Sequence, residues 1–390
     1  MMAQEDSIVI VGGGPVGALL ALSLQQNGIP FSMLEARAKG ASHSDTRALA
    51  LSDGSRLILE KLNIWSEIEG QATEIKSIHV SQHGGFGRTK LEAAEHKLPA
   101  LGYVLPYGAL TKALDAALDL NHVLYDAVAT EVRQLPKMTE VFFKQVDIEI
   151  SISSSLAVIA DGGRSLEDIP IIKRNTKDYG HDALVSKVKT ELPHANTAYE
   201  RFTPTGPMAL LPDGKSPESH VFNLVWTGEK AKIDALMALD DDAFLKALHL
   251  AFGDRVGQFL STEKRNRFPL KLSTLKSVAI PHLAIIGNAA QTMHPVAGQG
   301  FNVGLRDAEA LAKLLISVSS ERWGSEQMLQ DYQKQRARDT RGSLKFTDSL
   351  LELFSNDLIG ISGARGFGLG ALSMFKPARE FLVSKMSYGK

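Results

Sequence analysis

The chain contains no cysteine. That absence excludes disulfides, thiolate catalysis and iron–sulfur ligation, and it makes the cytosol the expected compartment. No stretch of about 18 uninterrupted apolar residues occurs, so no segment reads as a membrane-spanning helix. Only a few polar residues precede the first apolar run, too few for the basic and apolar regions of a secretory signal. Neither sign of charge is in excess: 43 Lys+Arg stand against 44 Asp+Glu, and no basic, aromatic-rich patch accompanies them, which argues against a nucleic-acid partner. His79 and His83 lie four apart without a third ligand, so no metal site is expected. There is no internal repeat and no low-complexity tract. What remains is 390 residues in which helical and strand signals alternate, enough for a large α/β core.

Two glycine-rich segments stand out. Ser7 to Val11 is a buried-strand run, followed by Gly12-Gly13-Gly14-Pro15-Val16-Gly17 and the apolar helical run Ala18 to Leu24. Glycines at 12, 14 and 17 fit GxGxxG in the strand, turn and helix context that a dinucleotide pyrophosphate requires. A second strand, Pro30 to Leu34, ends on Glu35, about 20 residues downstream, where a carboxylate can accept from ribose hydroxyls. Gly366 to Ala371 also fits GxGxxA, but no strand precedes it, so it reads as a false match. The second segment runs from Gly287-Asn288 through His294-Pro295 to Gly298-Gln299-Gly300-Phe301-Asn302. It joins the strand Leu283 to Ile286 to a helix over Asn302 to Ile316. Gly298 and Gly300 let backbone N–H groups approach a flat or anionic ligand, and the helix N-terminus favours negative charge. An ordinary strand-to-helix turn is the alternative.

Between these segments, Asp45 to about Leu62 reads as helical, with Arg47 early in it, either solvated or reaching a pyrophosphate. Strands are expected at Ile75 to Val80 and Lys90 to Leu98, a helix at Leu110 to Leu118, and strands at Val123 to Val132, Val141 to Phe143 and Leu156 to Ala160. The last of these ends on Asp161-Gly162-Gly163. From about Pro170 the signal turns strand-rich: Ala183 to Val188, Ala198 to Phe202, Met208 to Leu211 and Val221 to Trp226 read as a mixed or antiparallel sheet. A helix near Asp241 to Phe252 interrupts it, and Asn266 to Leu272 leads out of it.

Gly12 to Gly17 with Glu35, Arg47 in Asp45-Thr46-Arg47-Ala48-Leu49, Asp161-Gly162, and Gly287 to Asn302 occur in an order that resembles the class A flavin monooxygenases. More narrowly, Gly287 to Pro295 and Glu200-Arg201-Phe202-Thr203-Pro204-Thr205-Gly206-Pro207 resemble the ubiquinone-biosynthesis hydroxylases, in particular the UbiH-like branch acting on 2-polyprenyl-6-methoxyphenols. The wider family has Gly-Asp where this chain has Gly287-Asn288; asparagine keeps an acceptor oxygen, and Gly-Asn is at home in that branch.

The resemblance implies a Rossmann-like (GR2-type) FAD-binding domain over 1–74, 101–169 and 280–340, with an inserted mixed or antiparallel sheet domain for substrate over 75–100 and 170–279. A C-terminal helical region would span 341–390. FAD would lie on Gly12, Gly14, Pro15, Val16, Gly17, Glu35, Ala36, Arg37, Arg47, Val128, Asp161 and Gly162. Its other half would meet Gly287, Asn288, Pro295, Gly298, Gln299, Gly300, Phe301 and Asn302. No protein nucleophile is expected, because the resemblance implies a flavin C4a-hydroperoxide formed with NAD(P)H and O2 that hydroxylates the ring of a polyprenylated phenol. The protein positions the reactants, stabilises charge and excludes water, with Pro295, Gly298, Gln299 and Gly300 beside the isoalloxazine.

Phe202, Met208, Leu210, Leu211, Trp226 and Phe268 offer apolar surface for such a phenol, or are plain core. His294 before Pro295 suits loop structure better than general-base work. From Arg341 onward seven Lys/Arg face four Asp/Glu, and Phe346, Leu350, Leu353 and Phe354 recur at helical spacing. Such a tail suits peripheral contact with an anionic membrane, membership of a ubiquinone-biosynthesis complex, or packing over the nucleotide domain. Competing readings are another FAD oxidoreductase of this fold, such as a prenyl reductase or a hydroxylase of a different phenol, and a non-catalytic flavin-loaded subunit. A halogenase is disfavoured, since Trp65, Trp226 and Trp323 form no Trp-x-Trp.

Overall fold

The computed structural model describes residues 7–84, 88–164, 172, 174–203, 205–292, 299–355 and 376–388. The first half runs β1 (Ile8–Val11), α1 (Pro15–Gln26), β2 (Phe31–Leu34), β3 (Ala48–Ser52), α2 (Asp53–Lys61), α3 (Trp65–Ile68), β4 (Thr73–Ile75), β5 (Ser77–Gln82), β6 (Arg88–Glu92), β7 (Gly102–Pro106), α4 (Tyr107–Ala117), β8 (Val123–Leu124), β9 (Ala127–Gln134), β10 (Thr139–Gln145), β11 (Ile148–Ser154) and β12 (Leu156–Ile159). The second half runs β13 (Arg174–Thr190), β14 (Thr197–Thr203), β15 (Gly206–Asp213), β16 (Val221–Glu229), α5 (Lys230–Ala238), α6 (Asp241–Phe252), β17 (Phe259–Thr262), β18 (Asn266–Leu275), β19 (Ala279–Ile280), β20 (Leu283–Ile285), β21 (Gln291–Thr292), α7 (Gln299–Ser317), α8 (Glu326–Ser355) and α9 (Lys376–Tyr388).

A six-stranded sheet in the order β19-β20-β12-β1-β2-β8 forms the nucleotide-binding half, parallel except for the β19–β20 hairpin. Its two faces explain why β1 reads Ile-Val-Ile-Val with every residue buried. Ile8 and Ile10 pack with Leu19, Leu20, Leu305 and Leu311 of α1 and α7, while Val9 and Val11 pack with Val141 and Phe143 of the β9–β10–β11 sheet. Burying such leucines contributes roughly 1.5–3 kcal/mol each, so α1 is fixed mainly by tertiary packing.

The helix expected from Asp45 begins only at Asp53. Ala48 to Ser52 is a strand instead, antiparallel to β7 with Leu49 opposite Leu105 and Leu51 opposite Tyr103. Alanine and leucine favour a helix locally, but pairing with a strand some 50 residues away overrides that preference. Similarly, the strand expected over Lys90 to Leu98 stops at Glu92, and Ala93–His96 turns as a 3-10 helix.

The other large sheet has the order β21-β18-β13-β16-β15-β14-β5-β6, with β17 added on β13. The segment β5–β6 enters it through β14, which β5 meets in parallel. One face is covered by α5 and α6, whose Ile233, Phe244, Leu248 and Phe252 pack on Leu184, Leu224 and Trp226. On the opposite face, Ala198 packs with Ile75 of β4 and Val104 of β7, joined by Ile78 and Leu211.

Finally, α9 returns over the first half: Tyr388 Oη donates to Asp53 Oδ2 at 3.0 Å, and Val383 packs with Leu91, Ala93 and Leu101. No helix among the described residues is long and apolar enough to cross a membrane.

Candidate functional site

Gly12 begins the site. Its φ of 107° suits glycine, and an added Cβ would lie 2.7 Å from the backbone of Ala160 and Asp161. At Gly17 an added Cβ would lie 2.0 Å from the Gly12 carbonyl oxygen, so the start of α1 rests directly on the turn. Gly14 is the N-cap and Pro15 opens α1; no side chain caps that end and no acidic residue stands in the first turn. The positive helix end is therefore left to an anionic ligand.

Glu35 closes one side. Its carboxylate accepts from Gly13 N at 2.8 Å and from Arg37 N and Nε at 2.9 and 2.7 Å. Burial opposes its charge, but the hydrogen bonds and the Arg37 guanidinium outweigh it and hold the carboxyl below the usual range. Ala36 is exposed beside it. The Glu35 carbonyl accepts from Ala127 N at 3.0 Å, which sets the half-exposed Val128 next to the same edge.

Arg47 is not on a helix but precedes β3, paired with Asp45 and lying 5.1 Å from the centre of the Tyr107 ring. The Tyr107 hydroxyl is 3.7 Å from where a Gly14 Cβ would stand, and the carboxylates of Glu35 and Asp45 raise the pKa of Arg37 and Arg47 respectively through their hydrogen bonds. Two cations thus converge beside the mouth of the glycine turn.

The second glycine segment meets the first at Val16. An added Cβ on Gly287, whose φ is 64°, would lie 3.1 Å from Val16 Cγ1, and one on Gly304 would lie 3.1 Å from Gly287 Cα. Asp307, buried in α7, holds this turn: Oδ2 accepts from Gly287 N at 3.1 Å and Gln291 Nε2 at 2.7 Å, while Oδ1 takes Arg336 Nε at 2.6 Å. Burial pushes its carboxyl up against the opposing pull of Arg336.

Asn288 is exposed on the short 3-10 turn Gly287–Ala289. Gln299 starts α7, with Gly300 and Phe301 half-buried behind it. Asn302 serves as a structural tie: Oδ1 accepts from Ser52 N at 2.8 Å and Ser55 Oγ at 2.7 Å, and Nδ2 donates to Ala50 O at 2.9 Å. Pro295, Gly298 and His294 lie outside the described residues, as does the Gly366 to Ala371 match.

Asp161 abuts Gly12 just past the end of β12, with Gly162 next in the turn, and Asp161 Oδ1 accepts from Gly163 N at 2.8 Å. Arg174 bridges this turn to the second segment by donating from Nη2 to Ala289 O at 3.2 Å.

The six apolar candidates divide by sheet face. Met208, Leu210 and Trp226 are at most 2% exposed beneath α5 and α6, so they are core and not a ceiling over the site. Phe202 and Phe268 instead belong to one cross-strand row on the opposite face, running through Pro207, Thr227 and Ala183. Leu211 lies on that face too, two rows away.

Tyr107, Asp307 and Arg174 were not singled out from sequence. Asp307 carried a signal: it falls four residues after Val303 and four before Leu311, on the apolar stripe of α7, where an unpaired charge is costly. Tyr107 and Arg174 carried none, because only the fold brings them to the glycine turns.

The family described as FAD binding domain matches residues 5–347, which spans every segment of this site. The chain belongs to that family. Within it, the chain is 31% identical to the ubiquinone hydroxylase UbiL of Rhodospirillum rubrum, over 96% of this chain and 88% of that one. It is 30% identical to the 3-demethoxyubiquinol 3-hydroxylase of Escherichia coli over 95% of both. Among solved structures, the p-nitrophenol 4-monooxygenase PnpA of Pseudomonas putida superposes with a TM-score of 0.81 at 16% identity, covering 99% of each chain; this likeness concerns fold. The α/β architecture with a large second sheet is accordingly that of an FAD-dependent monooxygenase.

Proposed function

We propose that this chain is an FAD-dependent monooxygenase that hydroxylates the ring of a polyprenylated phenol in ubiquinone biosynthesis, using NAD(P)H and O2. The meeting of the two glycine segments at Val16 carries the reading, because it forms one continuous cradle that runs from the uncapped N-terminus of α1 to the start of α7. The fit to FAD is good: the Gly14–Gly17 helix start with Arg37 and Arg47 nearby suits a pyrophosphate, and Glu35 beside Val128 suits the adenosine ribose. Asp161, Gly162, Gly287 and Asn288 would line the middle, with the isoalloxazine over Pro295 to Asn302. Bound FAD would supply the redox chemistry, taking two electrons from NAD(P)H and passing one atom of O2 to the ring.

The chain's own share is orientation and electrostatics. The start of α7 offers backbone donors and a positive helix end to charge on the ring system, and Asp307 fixes the turn that faces it. We assign the nucleotide-binding half to 1–74, 101–169 and 280–340 and the substrate half to 75–100 and 170–279. Phe202, Leu211 and Phe268 are the candidates left for the phenol. The hydroxylases UbiL and 3-demethoxyubiquinol 3-hydroxylase support the pathway assignment. A lipid-tailed substrate would also favour peripheral membrane contact, which the basic composition after Arg341 supports.

Purified protein reconstituted with FAD should turn yellow and oxidise NAD(P)H faster when 2-geranylphenol is added. A colourless protein that takes up no FAD would overturn the reading.

A further inference from the structure

Glu200 lies on the sheet face that carries Phe202 and Leu211 and is turned away from α5 and α6. The registers set its place. Ala198 pairs with Ile78 and packs with Ile75 and Val104, sealing the sheet against β4 and β7. One row further along, Glu200 stands opposite Val80 on one side and Ala209 on the other. The row after that holds Phe202 opposite Gln82, and Phe268 at its far end. Glu200 is thus the first polar group past the seal, followed by an aromatic row.

Its side chain is part-buried, and its carboxyl has no hydrogen-bond or ion-pair partner among the described residues. Gln82, its diagonal neighbour across β14 and β5, has a buried Oε1 that is also without a partner. Buried polar groups are normally satisfied, so the orphaned Gln82 Oε1, with the unpartnered Glu200 carboxyl diagonal to it on the same face, points to an absent polar ligand. We propose, on the reading above, that Glu200 contacts the ring hydroxyl of the phenol and accepts its proton, while Gln82 helps to position the ring.

The step balances without a further reactant. The phenolic O–H bond breaks, a new O–H bond forms on the Glu200 carboxylate, and the electron pair stays on the phenolate oxygen. Delocalised into the ring, that pair makes the ortho and para carbons more nucleophilic toward an electrophilic oxygen.

Burial alone pushes the Glu200 carboxyl up to about 8, a value suited to a general base near neutral pH. No described charge opposes this. Val80, Thr89 and Ala209 flank it on β5, β6 and β15, Ile75 and Val104 face the sheet from β4 and β7, and Lys187 and Asp213 further along pair with each other at 2.7 Å.

The test is the pH profile of kcat/KM for hydroxylation of 2-geranylphenol by the full-length holoenzyme. Wild type should rise with pH through a midpoint near 8. NAD(P)H oxidation without the phenol should lack that limb. In Glu200→Gln the rate near pH 7 should fall about 100-fold or more, the limb should vanish, and the gap should narrow as pH nears the phenol's own value of about 10. Glu200→Asp should keep a limb. A flat wild-type profile between pH 6.5 and 9.5 overturns the proposal even if the variants misfold. So does a Glu200→Gln enzyme that binds FAD and keeps the wild-type profile. If wild type oxidises NAD(P)H but hydroxylates no phenol, the functional reading fails instead.

Discussion

Asn302 joins the start of α7 to β3 and α2, and Asn302→Ala would remove at once the three hydrogen bonds it makes to Ala50, Ser52 and Ser55. The groups left behind are buried: Ser52 is 6% exposed and Ser55 is fully buried, so water does not replace the lost partner freely. Ser55 Oγ retains Ser52 Oγ at 3.2 Å, which spares part of the loss. At about 1 kcal/mol per bond the variant should lose about 3 kcal/mol. With an unfolding entropy of roughly 2.1 cal/mol/K per residue, a chain of 390 residues should then melt about 4 °C lower. Differential scanning fluorimetry of the FAD-free protein reads this directly. Because α7 begins the proposed isoalloxazine cradle, the variant should also release FAD faster. A melting shift under about 1 °C with wild-type FAD retention would show that Asn302 does not tie these elements together.

Four further outcomes follow from the geometry. Gly17→Ala drives a Cβ to 2.0 Å from the Gly12 carbonyl and should abolish FAD retention while the second sheet still unfolds cooperatively, as read by flavin absorbance and circular dichroism. Asp307→Ala takes from buried Arg336 one of its two carboxylate partners, leaving Asp339 at 2.7 Å, and should cost roughly 1.5–3 kcal/mol in urea denaturation for the lost charge-assisted bond; a change under 1 kcal/mol would refute the role given to that pair. Gly54→Ala places a Cβ 2.4 Å from Ser387 O and should free α9, seen as faster proteolysis near the C-terminus with the rest of the chain intact. The Glu35 carboxyl is held below its usual 4.5, so its stabilisation is present above that pH and is lost as pH falls through the lower folded value. The difference in melting temperature between wild type and Glu35→Gln should therefore shrink below pH 4.5.

The segments legible in the sequence are those whose chemistry is local. Gly12, Gly17 and Glu35 announce themselves because a tight turn, a close helix start and a carboxylate at a strand end fall at fixed spacing. Ala48 to Ser52 is ambiguous in sequence because its alternation and its helix propensity compete, and only β7 decides between them. The apolar candidates on β15 and β16 were ambiguous for a different reason. Both faces of the large sheet are covered, one by α5 and α6 and the other by β4 and β7, so alternation marks no inner side. The helix α5, which completes the burial of Met208 and Trp226, carried too weak a period to be expected. Glu200 was read only as part of a family motif; its lack of a partner is visible only once β5 and β15 flank it.

The central claim, transfer of one atom of O2 to a phenol ring by an FAD enzyme, is tested most directly with isotopic oxygen. The FAD-loaded protein should convert 2-geranylphenol under 18O2, with NAD(P)H, to a hydroxylated product carrying one 18O on the ring. A product that takes its oxygen from water, or NAD(P)H consumption that only reduces O2 or a prenyl double bond, would contradict the account.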